Sequence, residues 1–422
     1  MDEIVIKGGT VLDKSGSRKA DISIGGDGNI SQIGTGLTGS RIIDAAGCIV
    51  TSGLVDLNSH FCQPGDEQVE TIESGTRSAA LGGYTAVMLM PDTSPAIDSA
   101  ATVREVQSLR NEALCHVEIS GSLSLGGAGD TLSPIGEMST LGVRFFTHAS
   151  CMDLSLPFLR RAMEYGAMFD VTVALTPFVS GNGHMHEGAV SSDLGIQGVA
   201  IEEEEILVSQ FVKIAELTGA RLHLQQISSP ASIETVSAAK AAGALITCEV
   251  SPHHFALTDE EVRSYKSIYK LAPPLRTRKE LEKISDLISR GEVDAIATCH
   301  TPNPQHEADL PFEEAPYGGI GLETAFAVTA TELDTPMNEI LSMMSWVPAE
   351  IAGLSSTHGG TISEGRPGNL IVIDESAQWT PSSKAMASKS KNSPFDERQL
   401  QGKVKDTFVN GEAVVLDGEA QR

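Results

Sequence analysis

The stretch GLVDLNSHFCQPG, residues 53–65, runs from a short apolar segment into a Pro-Gly break. Such a segment, bounded by turn residues, reads as a buried strand feeding a loop. Side chains two apart on a strand point the same way, so Asn58 and His60 face one side where the strand ends.

Seven further segments of this texture follow: TAVMLM (85–90), VEISGSLS (117–124), GVRFFT (142–147), FDVTVAL (169–175), RLHLQQ (221–226), ALITCEVS (244–251) and DAIATCH (294–300). Helical stretches separate them, such as EQVETIESGTRSAALGG (67–83), whose last two glycines mark a stop. Eight strands alternating with helices predict an α/β chain closed into a (β/α)8 barrel of residues 54–360. Active residues in such a barrel sit at the C-terminal ends of the strands.

Outside the barrel the texture changes. IVIKGGTVLD, DISIGGDGNISQIG and RIIDAAGCIV near the start, with GNLIVIDES and GKVKDTFVNGEAVVLDG near the end, alternate apolar and polar residues between turn signals. The Asn410-Gly411 pair marks a hairpin. Residues 1–53 and 361–422 are expected to form the two halves of one small β-sandwich domain.

A net charge of −26 over 422 residues opposes a phosphate backbone, so no nucleic acid is expected as a partner. No apolar run is long enough to span a bilayer, and no membrane role is expected. Six cysteines stand singly and residues 1–15 lack a secretory pattern, which together predict a cytoplasmic protein. The acidic run Glu202 to Glu205 reads as the first turn of a helix, where negative charge suits the dipole. His184 and His186 fall in a polar loop, and His253 and His254 read as structural groups at the barrel rim.

GLVDLNSHFCQPG, ETIESGTRSAALGGYTAVMLMPDTSP, RLHLQQISSP, CEVSPHHFALTDEE, KLAPPLRT, DAIATCHTPNPQHEADLPFEEAPYGGIGLETA and SPFDERQLQGKVKDTFVNG together resemble dihydroorotases of the cyclic amidohydrolase superfamily. The match is collinear from about residue 3 to about 416. The resemblance implies a binuclear zinc site that activates water to open a cyclic imide, with an Asp moving the proton.

The positions carrying that chemistry are substituted. The resemblance places metal ligands or the catalytic Asp where this chain has Asn58, Thr176, Gln226 and Cys299, and only His60 is kept. The anionic ligand after the fourth strand has given way to Thr147, His148 and Ala149. Substrate clamps have become Cys62, Asp92, Ala272 and Asn303. His223, three positions before Gln226, is expected to face the opposite side of its strand.

Loss of ligands and clamps together, with the barrel motifs kept, predicts selection on the fold without the reaction, and no cofactor is expected. The resemblance extends to dihydroorotase-like chains without metal ligands that support assembly of aspartate carbamoyltransferase. It implies a hetero-oligomer with that catalytic chain, and self-association. The alternative is a divergent zinc-dependent cyclic amidohydrolase with a rebuilt site of His60, Cys62, His148 and Cys299, in which Cys299 is the catalytic candidate.

Overall fold

A computed structural model describes residues 3–148, 154–179, 181 and 183–422. Its centre is a sheet of eight parallel strands: Leu54–Ser59, Tyr84–Leu89, His116–Ser122, Phe145–His148, Thr172–Leu175, Arg221–Leu224, Ile246–Val250 and Ala295–Ile296. Each pairs with the next in order. The eighth returns to the first through a bridge between Ser59 and His300, and His60 N–H donates to the His300 carbonyl at 2.8 Å. Asp56 of the first strand adds a second tie, accepting from Thr298 N–H at 2.7 Å and its hydroxyl at 2.9 Å.

Alternation along the strands sorts residues into two layers. Val55, Leu57, Ala86, Met88, Phe145, Ala174 and Ala295 fill the barrel interior. Leu54, Val87, Phe146, Val173 and Leu222 face outward into the shell of helices. The expected barrel is therefore present.

Both chain ends build the second domain. Ile49–Ser52 pairs antiparallel with Leu370–Trp379, joining the N-terminal strands to the C-terminal ones in a seven-stranded sheet. A four-stranded sheet of Ile30–Gly34, Asp21–Ile24, Ile4–Lys7 and Arg41–Asp44 covers it, and Ile4, Ile22, Val50, Leu370 and Phe408 lie in the core between. The Asn410-Gly411 turn has φ of 49° and 78°. A Cβ on Gly411 would lie 2.5 Å from the Gly28 Cα, so both backbone angle and close approach require glycine there.

One helix is shorter than its sequence pattern. The stretch 67–83 yields only Ile72–Leu81, because Thr71 takes an extended backbone and caps the helix through a reciprocal pair with Ser74. Glu70, just outside, is free to serve another role. No helix among the described residues is long and apolar enough to cross a membrane.

Candidate functional site

The C-terminal strand ends open on a cavity of about 150 Å³, whose wall includes His60, Asp92, Thr176, Gln226, Ala272 and Cys299. Met90, Phe178, His253, Leu271 and Tyr317 complete its sides. Sequence reading missed Phe178 and Tyr317, which come from long loops and become neighbours only in the folded chain, ring centroids 5.4 Å apart.

Not every expected position reaches the cavity. Asn58 is fully buried, and its amide donates to Glu249 at 3.3 Å. Glu249 also meets His223 Nε2 at 3.0 Å, and His223 Nδ1 lies 2.8 Å from the Thr247 hydroxyl. This corrects the expectation for His223: it lies in the barrel interior, its ring 5.7 Å from that of Phe145. Counting back from Gln226 fails because the strand ends at Leu224 and Gln226 has a φ of 56°, so strand alternation no longer holds there. Cys62 and Asn303 also stand outside the cavity wall. The Asn303 amide instead donates to the Tyr317 carbonyl at 3.1 Å, holding a loop.

A charged contact on the wall joins His60 Nδ1 to Asp92, at 2.7 Å. Burial works against the His60 cation, yet the facing Asp92 prevails and raises its pKa. Burial likewise opposes the Asp92 anion, and His60 prevails to lower that pKa. Each group thus favours the charged form of the other. Burial, reinforced by Glu249 and Asp56, pushes the Cys299 thiol well up. Cys62 is pushed up to about 12 by burial and then by Asp92, Asp66 and Glu70. Both thiols are thus protonated near neutral pH, and Cys299 is no ready nucleophile.

These residues do not fit a zinc ion, nor a pair of them. Among the described residues no three His, Cys, Asp or Glu side chains converge on a point that would hold a metal. Of His60, Cys62, His148 and Cys299, His60 and Cys299 line the cavity, whereas Cys62 and the buried His148 are not on its wall. Ala149 lies outside the described residues.

Behind the mouth, the loops rest on a buried ion pair. Arg276 and Glu204, 2% and 3% exposed, meet at 3.2 Å. Arg276 also donates to the Ser228 hydroxyl at 2.9 Å and to His186 Nδ1 at 3.3 Å. Glu204 accepts from the backbone N–H of Ser228 at 3.0 Å and of Ser229 at 2.8 Å. His186, expected in a polar loop, instead sits in a short strand, Met185–His186, paired with Gly198–Val199. Its ring is held neutral, its pKa brought down to about 4 by burial and then by Arg276.

Comparison with known proteins agrees with this architecture. A profile described as dihydro-orotase-like matches residues 47–232, and one of the amidohydrolase family matches 187–414. A protein named dihydroorotase from Geobacter sp. (strain M21) is 38% identical over 426 residues, covering 98% of this chain and all of that protein. The chain belongs to the dihydroorotase-like amidohydrolases. Another protein named dihydroorotase in this family, from Streptomyces coelicolor, is 37% identical over 432 residues, covering 99% of this chain and all of its own. Among solved structures, an L-hydantoinase (dihydropyrimidinase) from Arthrobacter aurescens superposes with a TM-score of 0.88 at 20% identity, covering 100% of this chain and 98% of that one. A dihydropyrimidinase from Brevibacillus agri NCHU1002 gives 0.86 at 18%, covering 99% and 96%. At such identity these two show the shared fold.

Proposed function

We propose that this amidohydrolase is a catalytically silent, cytoplasmic subunit of pyrimidine biosynthesis that supports assembly of aspartate carbamoyltransferase. The observation that supports the reading is the mouth itself, where Thr176, Gln226 and Cys299 line the cavity with no cluster of metal-binding side chains among the described residues, while barrel and sandwich are complete. An interface needs shape and a few buried anchors, so it outlives an active site.

The exterior offers such anchors. Met168, Leu217 and Leu245 are 74%, 66% and 57% exposed, and each precedes one of three consecutive strands, the fifth to the seventh. They crowd one sector of the barrel's N-terminal rim, beside a shallow depression lined by Ala215, Gly219 and Ala244. Mixing this chain with the carbamoyltransferase catalytic chain is expected to yield a hetero-oligomer by light scattering, and two separate species would overturn the proposal. Leu217→Glu is expected to weaken that complex about tenfold, the loss of about 1.4 kcal/mol, with the unfolding transition unmoved.

The second reading, a zinc-dependent cyclic amidohydrolase, draws on the 37–38% identity to proteins named dihydroorotase. Zinc content of protein purified without chelator separates the two. Well below one ion per chain is expected; one or more, together with cyclic-amide hydrolysis lost in Cys299→Ala, would favour the second.

A further inference from the structure

Another cavity, of about 260 Å³, lies at the opposite end of the barrel from the mouth, on the seam between the two domains. Arg110 on its wall closes the helix Ala100–Leu109, and His116 begins the third barrel strand. Val409, Asn410 and Glu412 come from the hairpin of the sandwich. Seams between domains are frequent places for small-molecule sites.

Arg110 gives this wall its character. Its Nε is buried and meets no hydrogen-bond partner among the described residues; its two terminal nitrogens, which keep contact with solvent, meet none either. Burial disfavours the cation and Glu118 favours it, and burial prevails to lower its pKa. Glu118 is itself held by His116, Oε1 to Nε2 at 2.6 Å. Arg422 brings a second guanidinium to the same wall. Its Nη2 donates to the Ala113 carbonyl at 2.7 Å, and its other N–H groups are free to donate elsewhere. Two guanidiniums at one cavity stand out in a chain of 56 acidic and 30 basic residues. Glu412, exposed on the same wall, opposes them.

We propose that this cavity binds a phosphate group, free or carried on a short carbon body, with Arg110 and Arg422 donating to its oxygens. A guanidinium presents paired N–H groups that match phosphate oxygens, and such charge-assisted bonds satisfy donors that burial leaves unpaired. Leu114, Val117, Val409 and Val414 make other parts of the wall apolar, where a few carbon atoms would lie. No Phe, Tyr or Trp stands among the described residues of the wall, so a nucleobase would find no ring to stack on. The inference goes beyond the assembly role and uses none of its residues.

The test uses the full chain with ¹⁵N-labelled arginine and glycerol 3-phosphate as the probe. The Arg110 Nε resonance, assigned as the one absent from Arg110→Gln, is expected to shift with glycerol 3-phosphate and to stay in place with glycerol. By calorimetry, Arg110→Gln is expected to weaken binding about tenfold or more and Arg422→Gln about threefold, whereas Glu412→Gln, which removes the opposing acid, tightens it about twofold. The unfolding transition of Arg110→Gln is expected to stay where it is, since that side chain makes no bond the fold uses. Inorganic phosphate binding as tightly as glycerol 3-phosphate would assign the site to the free ion, and weaker binding to an organic phosphate; both uphold it. No response of Arg110 Nε to either phosphate, an equal response to chloride at the same ionic strength, or unchanged affinity in Arg110→Gln overturns the proposal. None of these readouts involves the carbamoyltransferase chain, so failure here is distinguishable from failure of assembly.

Discussion

Arg276→Met is expected to lower unfolding free energy by about 3–5 kcal/mol, the range for breaking a buried ion pair from one side. Methionine fills much of the same volume, so the loss comes from charge and hydrogen bonding. Glu204, 3% exposed, would keep a carboxylate with no cation, and the Ser228 hydroxyl and His186 Nδ1 would each lose a donor. The measurement is urea unfolding at neutral pH. Adding Glu204→Gln is expected to recover about 1 kcal/mol or more, because the amide oxygen still accepts from Ser228 and Ser229 N–H while the stranded charge is gone. If the single and double variants lose the same stability, the charge pair is not what holds these loops.

The second large effect is expected at Glu70. This carboxylate is fully buried and accepts from the hydroxyls of Ser74 and Ser388, from Lys389 N–H at 3.3 Å, and from His300 Nε2 at 3.4 Å. It fastens residues 388–390, which follow the long strand Leu370–Trp379, to the barrel mouth, and Ser390 adds a bond to the Val69 carbonyl at 3.2 Å. Glu70→Ala strands several buried donors at once and is expected to cost about 3 kcal/mol or more. Burial opposes the anion, yet the bonds from His300, Ser388 and Ser74 prevail and hold its pKa below the ordinary 4.5. A lowered folded-state pKa gives stability that is present above 4.5 and lost as pH falls through the folded value. The gap between wild type and Glu70→Ala is therefore expected to be constant near neutrality and to narrow in acid. A gap that widens in acid would contradict this account.

The barrel was legible because its signal is local. Each strand is a short apolar run closed by Gly, Pro, Asp or Asn, and each such run became a strand of the sheet. The Asn410-Gly411 hairpin was legible for the same reason, since a backbone with φ above zero at both positions restricts the residues that fit. Site positions could be placed on strand ends by counting along a strand, and this worked for His60, Thr176 and Cys299, which line the cavity. Gln226 lines the cavity too, but counting back from it misplaced His223, because Gln226 has a φ of 56° and the period of two lapses there.

What the sequence alone determined was the element order, the layers and which chemical groups are missing from the strand ends, all properties of residue type and spacing. Tertiary structure decided the partners. Glu204 reads locally as one acid among four at a helix start, yet it turns inward because Arg276, 72 residues away, arrives in the same buried space. Glu70 reads as part of a helix until Ser388 meets it across 318 residues. A buried polar group must be satisfied by whatever the fold brings within about 3 Å, and sequence distance carries no information about that.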